Sequence, residues 1–439
     1  MGWRNPPVPW SELERTLSGE RPPGADGGDS PAWSARRPAY QAPSSLRPPP
    51  PRAAGAVAYA ELHCHSNFSF LDGASHPEEL VEEAARLGLS ALALTDHDGF
   101  YGSVRFAEAA RELHLPTVFG AELTLGGPKG GRSGMPDPEG QHLVVLARSP
   151  EGYARLSRAI TGAQMAGGAK GRPCTDLATL AAVAGMPADG HWLVLTGCRK
   201  GAVPAALVCE GPAAAARELA ALVEAFGRSS VVMEIWDHGD PLDSARNDAL
   251  ARLAVAEGVD VVATNDVHYA TPARRPLATA LAAVRSRRSL DEVEGWLPAG
   301  AGACLRPGWE QERRFARYPG VVSRAAELAL ECAFDLALVA PRLPDFPVPP
   351  GHDEMSWLRE LTEQGARRRY GPRGAERVPG AYAQIDHELA MIDQLGFPGY
   401  FLIVWDLVEF CRRQDIYCQG RGSAANSAAC YALGITKAD

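Results

Sequence analysis

From residue 57 onward, short apolar runs alternate with longer stretches in which apolar positions recur every three or four residues. The first pattern suits buried strands and the second suits helices with one apolar face. The runs at 58–65, 91–95, 117–123, 142–147, 192–196, 230–236 and 259–264 predict seven strands. The stretches at 77–87, 104–113, 152–161, 213–226 and 243–257 predict helices between them. Such alternation is the mark of a parallel sheet with crossover helices. Seven units predict a distorted (β/α)7 barrel rather than an eight-stranded one.

The pattern is different on both sides of this block. Residues 20–56 are dense in Pro, Gly, Ser and Ala, and bury too little apolar surface to offset the entropy of ordering, which predicts a flexible linker. Ahead of it, Pro9 to Leu17 reads as a short helix with Trp10, Leu13 and Leu17 on one face. Pro341, Pro344, Pro347, Pro349 and Pro350 then mark a boundary or an extended connector. Beyond it, 354–370, 382–395 and 400–411 predict helices, followed by the loop Gly420 to Ser427 and an apolar stretch at 428–433. The chain therefore divides into an extension and linker (1–56), an α/β barrel (57–340) and a mainly helical region (341–439) that has the look of a domain cut short.

Composition narrows the function. A chain of 439 residues exceeds what one core usually supports, so more than one domain is expected. The net charge of -9 excludes a globally basic nucleic-acid binder and leaves only local contact with DNA. Part of that charge comes from carboxylates that a bound cation would neutralise. Forty of the 44 basic residues are Arg, which with abundant Ala, Gly and Pro points to a GC-rich genome. Nine Cys without a C-x-x-C pair exclude a disulfide framework or zinc ribbon and fit a reducing cytoplasm. The N-terminus lacks the apolar core of a signal peptide, and no uninterrupted apolar stretch approaches the roughly 18 residues of a membrane span.

The candidate chemistry lies at strand ends. His63 and His65 are two apart on a predicted strand, so both imidazoles point to one side. Asp72 follows in a Gly-containing turn, and His97 closes the second strand. Glu122 ends the third, His142 opens the fourth and Cys198 follows the fifth. Asp266 and His268 repeat the two-residue spacing after the seventh. In α/β barrels, active sites gather at one end of the strands. Imidazole, carboxylate and thiolate together suit Zn, Mn or Fe. Nine donors exceed the need of one ion, and several close ions suit phosphoester hydrolysis.

Asp96, Asp98, Glu234 and His238 are candidates for orienting these ligands. His76, His114 and His191 read as structural, and Arg285, Arg287 and Arg288 as a solvated helix face. Gly420-Arg421-Gly422-Ser423 reads as a phosphate cradle or as a bare turn before a helix, and it is not a Walker sequence.

The motifs His63-Cys64-His65 to Asp72-Gly73, Thr95-Asp96-His97-Asp98-Gly99 and Asn265-Asp266-Val267-His268-Tyr269 resemble the polymerase and histidinol phosphatase (PHP) domain. Leu395 to Asp406 and Gln419 to Ala425 resemble the start of the palm and thumb in bacterial C-family DNA polymerases, the replicative alpha subunits and their relatives. Met1-Gly2-Trp3, Pro9 to Glu14 and Gly351 to Arg359 are similar to the error-prone branch of that family.

The resemblance implies three ligand sets: His63, His65, Glu122 and Asp266; Glu122, His142 and Cys198; and Asp72, His97 and His268. It further implies a 3′ to 5′ exonuclease or other phosphoesterase in which Glu122, Asp266 and His268 carry catalysis. Arg421, Gly422 and Ser423 would meet the phosphates of an incoming nucleotide. No Asp-x-Asp pair occurs between Pro341 and Asp439, so the acidic triad that holds Mg for polymerisation is expected beyond this stretch. The whole enzyme would act in the cytoplasm on primer-template DNA and dNTPs in translesion synthesis and repair, with accessory proteins such as the sliding clamp. A free-standing phosphoesterase of the histidinol phosphatase kind, or a metal-stabilised platform without catalysis, is the alternative.

Overall fold

The computed structural model describes residues 40–46, 56–126, 140–168, 172–185, 190–293, 297, 300–336 and 345–437. The predicted helix at Pro9 to Leu17, most of the linker and the start of the proline connector lie outside the described residues. The chain forms two compact units that divide between Ala340 and Pro341. Among the described residues no helix is long and apolar enough to cross a membrane.

The first unit is built on a six-stranded sheet: β1 (Leu92–Leu94), β2 (Thr117–Leu125), β3 (Gln141–Ala147), β4 (Trp192–Leu195), β5 (Val231–Ile235) and β6 (Asp260–Ala263), in sequence order. The sheet is mixed rather than parallel as predicted, because β3 runs antiparallel to both β2 and β4. The other pairs, β1 with β2, β4 with β5 and β5 with β6, are parallel.

The first predicted strand, 58–65, is an extended stave rather than a regular strand, because its hydrogen bonds go alternately to two neighbours. Glu61 and Cys64 accept through their carbonyls from Ala93 and Thr95 on one side, and His63 O and His65 N bond Val267 on the other. This stave joins β1 to the residues after β6, which gives the distorted seven-staved barrel.

Short β-branched and leucine runs buried on both faces explain why the strands lack polar alternation. Helix Pro77–Leu87 begins with Pro77, which needs no N–H partner in the first turn, and ends on left-handed Gly88. Residues 40–46, expected to belong to the linker, instead pack on the barrel: Ala42 and Leu46 are buried in its core and Tyr40 Oη donates to Glu82. Those apolar side chains reach a partner that local composition cannot reveal.

Among the described residues, the second unit holds helices Glu354–Tyr370, Ala381–Gln394, Pro398–Arg413 and Ala428–Leu433 around Leu358, Ile385, Leu389, Leu402 and Leu433. Asp353 caps the first helix through a bond to Ser356 N. Glu388 holds the start of the last, accepting from the Ala428 and Ala429 N–H groups, where a carboxylate also complements the helix dipole.

Gly365 lies where Glu354–Tyr370 meets Ala428–Leu433, and an added Cβ would lie 1.9 Å from Ala432 O. Gly→Ala within a helix ordinarily stabilises by about 1 kcal/mol. Here Gly365→Ala is expected to lower the stability of this unit by about 1–3 kcal/mol through overpacking, read as a lower denaturant midpoint. A gain in stability would show that the helices part freely.

Candidate metal centre

Seven pieces of chain deliver the nine predicted donors to one end of the barrel. His63 and His65 come from the first stave, Asp72 from the loop after it, and His97 follows β1. Glu122 lies in β2 and His142 in β3, Cys198 follows β4, and Asp266 and His268 follow β6. The reversal of β3 accounts for the odd position of His142: the beginning of an antiparallel strand lies at the same end as the finish of its neighbours. Register pairs Thr124 with His142, two residues past Glu122.

Glu122 is the hub. Its Oε1 lies 3.0 Å from His142 Nδ1, 3.5 Å from His63 Nε2 and 3.6 Å from Cys198 Sγ. Its Oε2 lies 3.1 Å from His97 Nδ1 and 3.5 Å from His65 Nε2. Asp266 Oδ1 is 3.4 Å from His268 Nε2 and 3.6 Å from His63 Nε2. Asp72 Oδ2 bridges His97 Nε2 at 3.2 Å and His268 Nδ1 at 2.9 Å.

Two features of this pocket fit divalent cations. The Nε2 atoms of His63 and His65 face one another at 3.1 Å, close enough for one cation to meet both. Asp266 Oδ1 and His142 Nδ1 are buried without a hydrogen bond of proper geometry. Four overlapping triplets have ligand atoms within 4.8 Å of one another: His63, His65, Glu122; His65, Asp266, His268; His65, Asp72, His97; and His97, Glu122, His142. His65 is shared by three of them.

Electrostatics follow from packing five imidazoles against buried carboxylates. Burial opposes charge on His97, but Glu122 and Asp72 push it up to about 9. Burial is likewise overcome at His268, which Asp72 and Asp266 raise to about 10. Burial would raise Glu122, yet the imidazoles of His142 and His97 hold it well below the usual carboxylate range. Asp72 and Asp266 are depressed in the same way, against burial, by His268 and by His63 respectively. His65 is lowered, first by burial and then by neighbouring His97. Burial, with Asp266 and Glu122, pushes the Cys198 thiol up.

The supporting residues are more numerous than sequence suggests. Glu234 accepts from His63 Nδ1 at 2.7 Å and from Thr264 Oγ1 at 2.5 Å, which fixes the ring and directs Nε2 inward. Asp96 accepts from Ser66 and Ser69 and so shapes the loop, with Ser69 Oγ 3.3 Å from His65 Nδ1. Asp98 instead bonds Thr124, and His238 donates to Asn265 O at 2.6 Å, one residue from Asp266.

Glu61, given no role by the sequence reading, is fully buried and accepts from Tyr59 Oη, His63 N and Asn265 N. It ties the first stave to the residues after β6, and burial pushes its carboxyl up to about 7. Leu71 adopts φ +60°, which costs a branched residue about 1–2 kcal/mol and turns the chain just before Asp72.

Arg285 corrects the reading of a solvated helix face. It donates from Nη1 to Asp72 Oδ1, whereas Arg287 and Arg288 are exposed. No local signal marks it, because its partner lies 213 residues away.

Arg421, Gly422 and Ser423 lie in the second unit, all exposed. Gly422 has φ +70° and opens a 3-10 turn, Gly422–Asn426, and the loop is pinned by Gly420 N to Ile435 O at 2.8 Å.

The barrel with its polynuclear donor set defines a PHP domain: residues 61–238 match the family described as "PHP domain", and residues 356–439 match "Bacterial DNA polymerase III alpha NTPase domain". The chain is 58% identical over 443 residues to an "Error-prone DNA polymerase" of Mycobacterium bovis, covering 100% of this chain and 39% of the relative. Relatives of the same name in Nocardia farcinica and Cutibacterium acnes are 52% and 51% identical, with 100% of this chain and 42% and 38% of theirs covered. The chain belongs to the error-prone branch of the bacterial C-family DNA polymerases, and spans about two fifths of the length of those relatives.

Proposed function

We propose that the barrel is a multinuclear-metal phosphoesterase acting on the 3′ ends of DNA strands, within the N-terminal portion of an error-prone DNA polymerase that copies damaged templates. The observation that carries the reading is the convergence of nine donors with an unsatisfied Asp266 Oδ1 and two imidazole nitrogens 3.1 Å apart. His63, His65, Asp72, His97, Glu122, His142, Cys198, Asp266 and His268 would hold two or three ions of Zn, Mn or Fe. Bound there, such ions polarise a phosphoryl oxygen and lower the pKa of water.

The protein's own residues do the rest. Glu234 fixes His63, and Asp96 with the serines holds the loop that carries His65 toward Asp72. Asp266, His268 and Glu122 surround the point where protons would be exchanged. In the second unit, Arg421 and the N–H groups of Gly422 and Ser423 are the proposed contacts for a nucleotide triphosphate. The acidic triad and its Mg ions would come from the rest of the polymerase, together with DNA, dNTPs and clamp-type partners, in the cytoplasm.

Asp266→Asn removes a carboxylate charge at nearly constant volume. With Mn supplied, the wild-type chain should shorten a 3′-labelled strand, and the variant should lose at least about 100-fold of that rate, more than loss of an outer partner costs. Unchanged degradation in the variant would place the activity elsewhere.

A further inference from the structure

We propose that Arg285 positions a substrate phosphate at the open side of the metal centre, an inference that rests on the phosphoesterase reading above. Among the described donors, exposure is uneven. His63, His65 and Glu122 side chains are no more than 1% exposed, whereas His97, His268 and Arg285 are 27%, 23% and 26% exposed. A ligand therefore arrives past the last three.

Arg285 is set in that entrance by rigid structure. It stands in the last turn of helix Arg275–Ser286, whose Ala282, Ala283 and Ser286 are buried, and left-handed Arg287 closes the helix directly after it. Its Nη1 donates to Asp72 Oδ1, while Asp72 Oδ2 serves His97 and His268. Asp72 thus divides its two oxygens between the imidazoles and the guanidinium. Among the described residues Asp72 is the one side chain bonded to Arg285.

A guanidinium carries five N–H donors in a fixed fork and never loses its charge. One arm held by Asp72 leaves the other N–H donors of a side chain that is 26% exposed, and a fork of this kind takes two phosphate oxygens together. The anchoring carboxylate reduces the entropy lost when the long side chain is fixed on its ligand. A lysine at this place would keep the charge but not the fork.

The test uses the whole chain loaded with Mn, with R285A and R285K beside wild type. Metal content is read by elemental analysis and binding of inorganic phosphate by calorimetry. R285A should keep the metal content of wild type and bind phosphate about 10- to 100-fold more weakly, as expected for loss of charge-assisted hydrogen bonds. R285K should recover only part of that loss. Phosphate affinity within twofold of wild type in R285A would overturn the proposal. So would a loss of affinity matched by a loss of metal, which would leave Arg285 as a support for Asp72 alone. Phosphate bound by wild type and weakened in R285A, without any turnover of a 3′-labelled strand, would uphold the role of Arg285 and sink the phosphoesterase reading.

Discussion

Glu122→Gln is expected to strip the barrel of more than one metal equivalent and to abolish hydrolysis, a larger effect than any other single substitution in the site. The physical reason is its place between His63, His65, His97, His142 and Cys198, all within 3.6 Å of one carboxylate oxygen or the other. Glutamine is nearly isosteric but carries no charge, and its amide group would turn N–H bonds toward imidazoles that need an acceptor. The metal-free chain should also lose stability, by about 3–5 kcal/mol, because cationic imidazoles would be left buried without their counter-charge. Elemental analysis of the purified variant and its denaturant midpoint check both statements. A variant with wild-type metal content would show that the donors act in independent groups.

Metal loading at neutral pH is expected to release at least two protons per chain. His97 and His268 are raised to about 9 and about 10 by the carboxylates around them, so both carry protons at pH 7 when no metal is supplied. Only the neutral imidazole binds a cation. Apparent metal affinity should therefore rise from pH 6 through about pH 9–10.

Stability of the metal-free chain runs the other way. The unfolded pKa of His is about 6.5, so the contribution of these two groups is complete below that value and is lost as pH climbs through about 9 and 10. The thermal shift produced by metal should accordingly grow with pH. Calorimetry in two buffers of different ionisation enthalpy counts the protons, and a heat independent of buffer would contradict protonated imidazoles in the site.

Much of this was legible in the sequence because the information is local. Donor identity is read directly. The two-residue spacing of His63 and His65, and of Asp266 and His268, fixes a shared side without knowledge of the fold. Helices Glu354–Tyr370 and Ala381–Gln394 fall within a residue of their predicted bounds, since a 3.6-residue apolar period lies within each segment.

What the sequence could not reveal depends on neighbours distant along the chain. An apolar run buried on both faces is the same read in either direction, so the reversal of β3 that brings His142 beside Glu122 had no signature. Nor did the burial of Glu61, the contact of Glu234 with His63, or the turn of Arg285 toward Asp72. A charged side chain has the same local pattern whether it meets water or an opposite charge brought by another strand. Local pattern alone identified the candidate donors, six of the strands and those helices whose apolar period lies within one segment. Which ends meet is set by the folded chain, because electrostatic and packing energies depend on distance in space and not on separation along the chain.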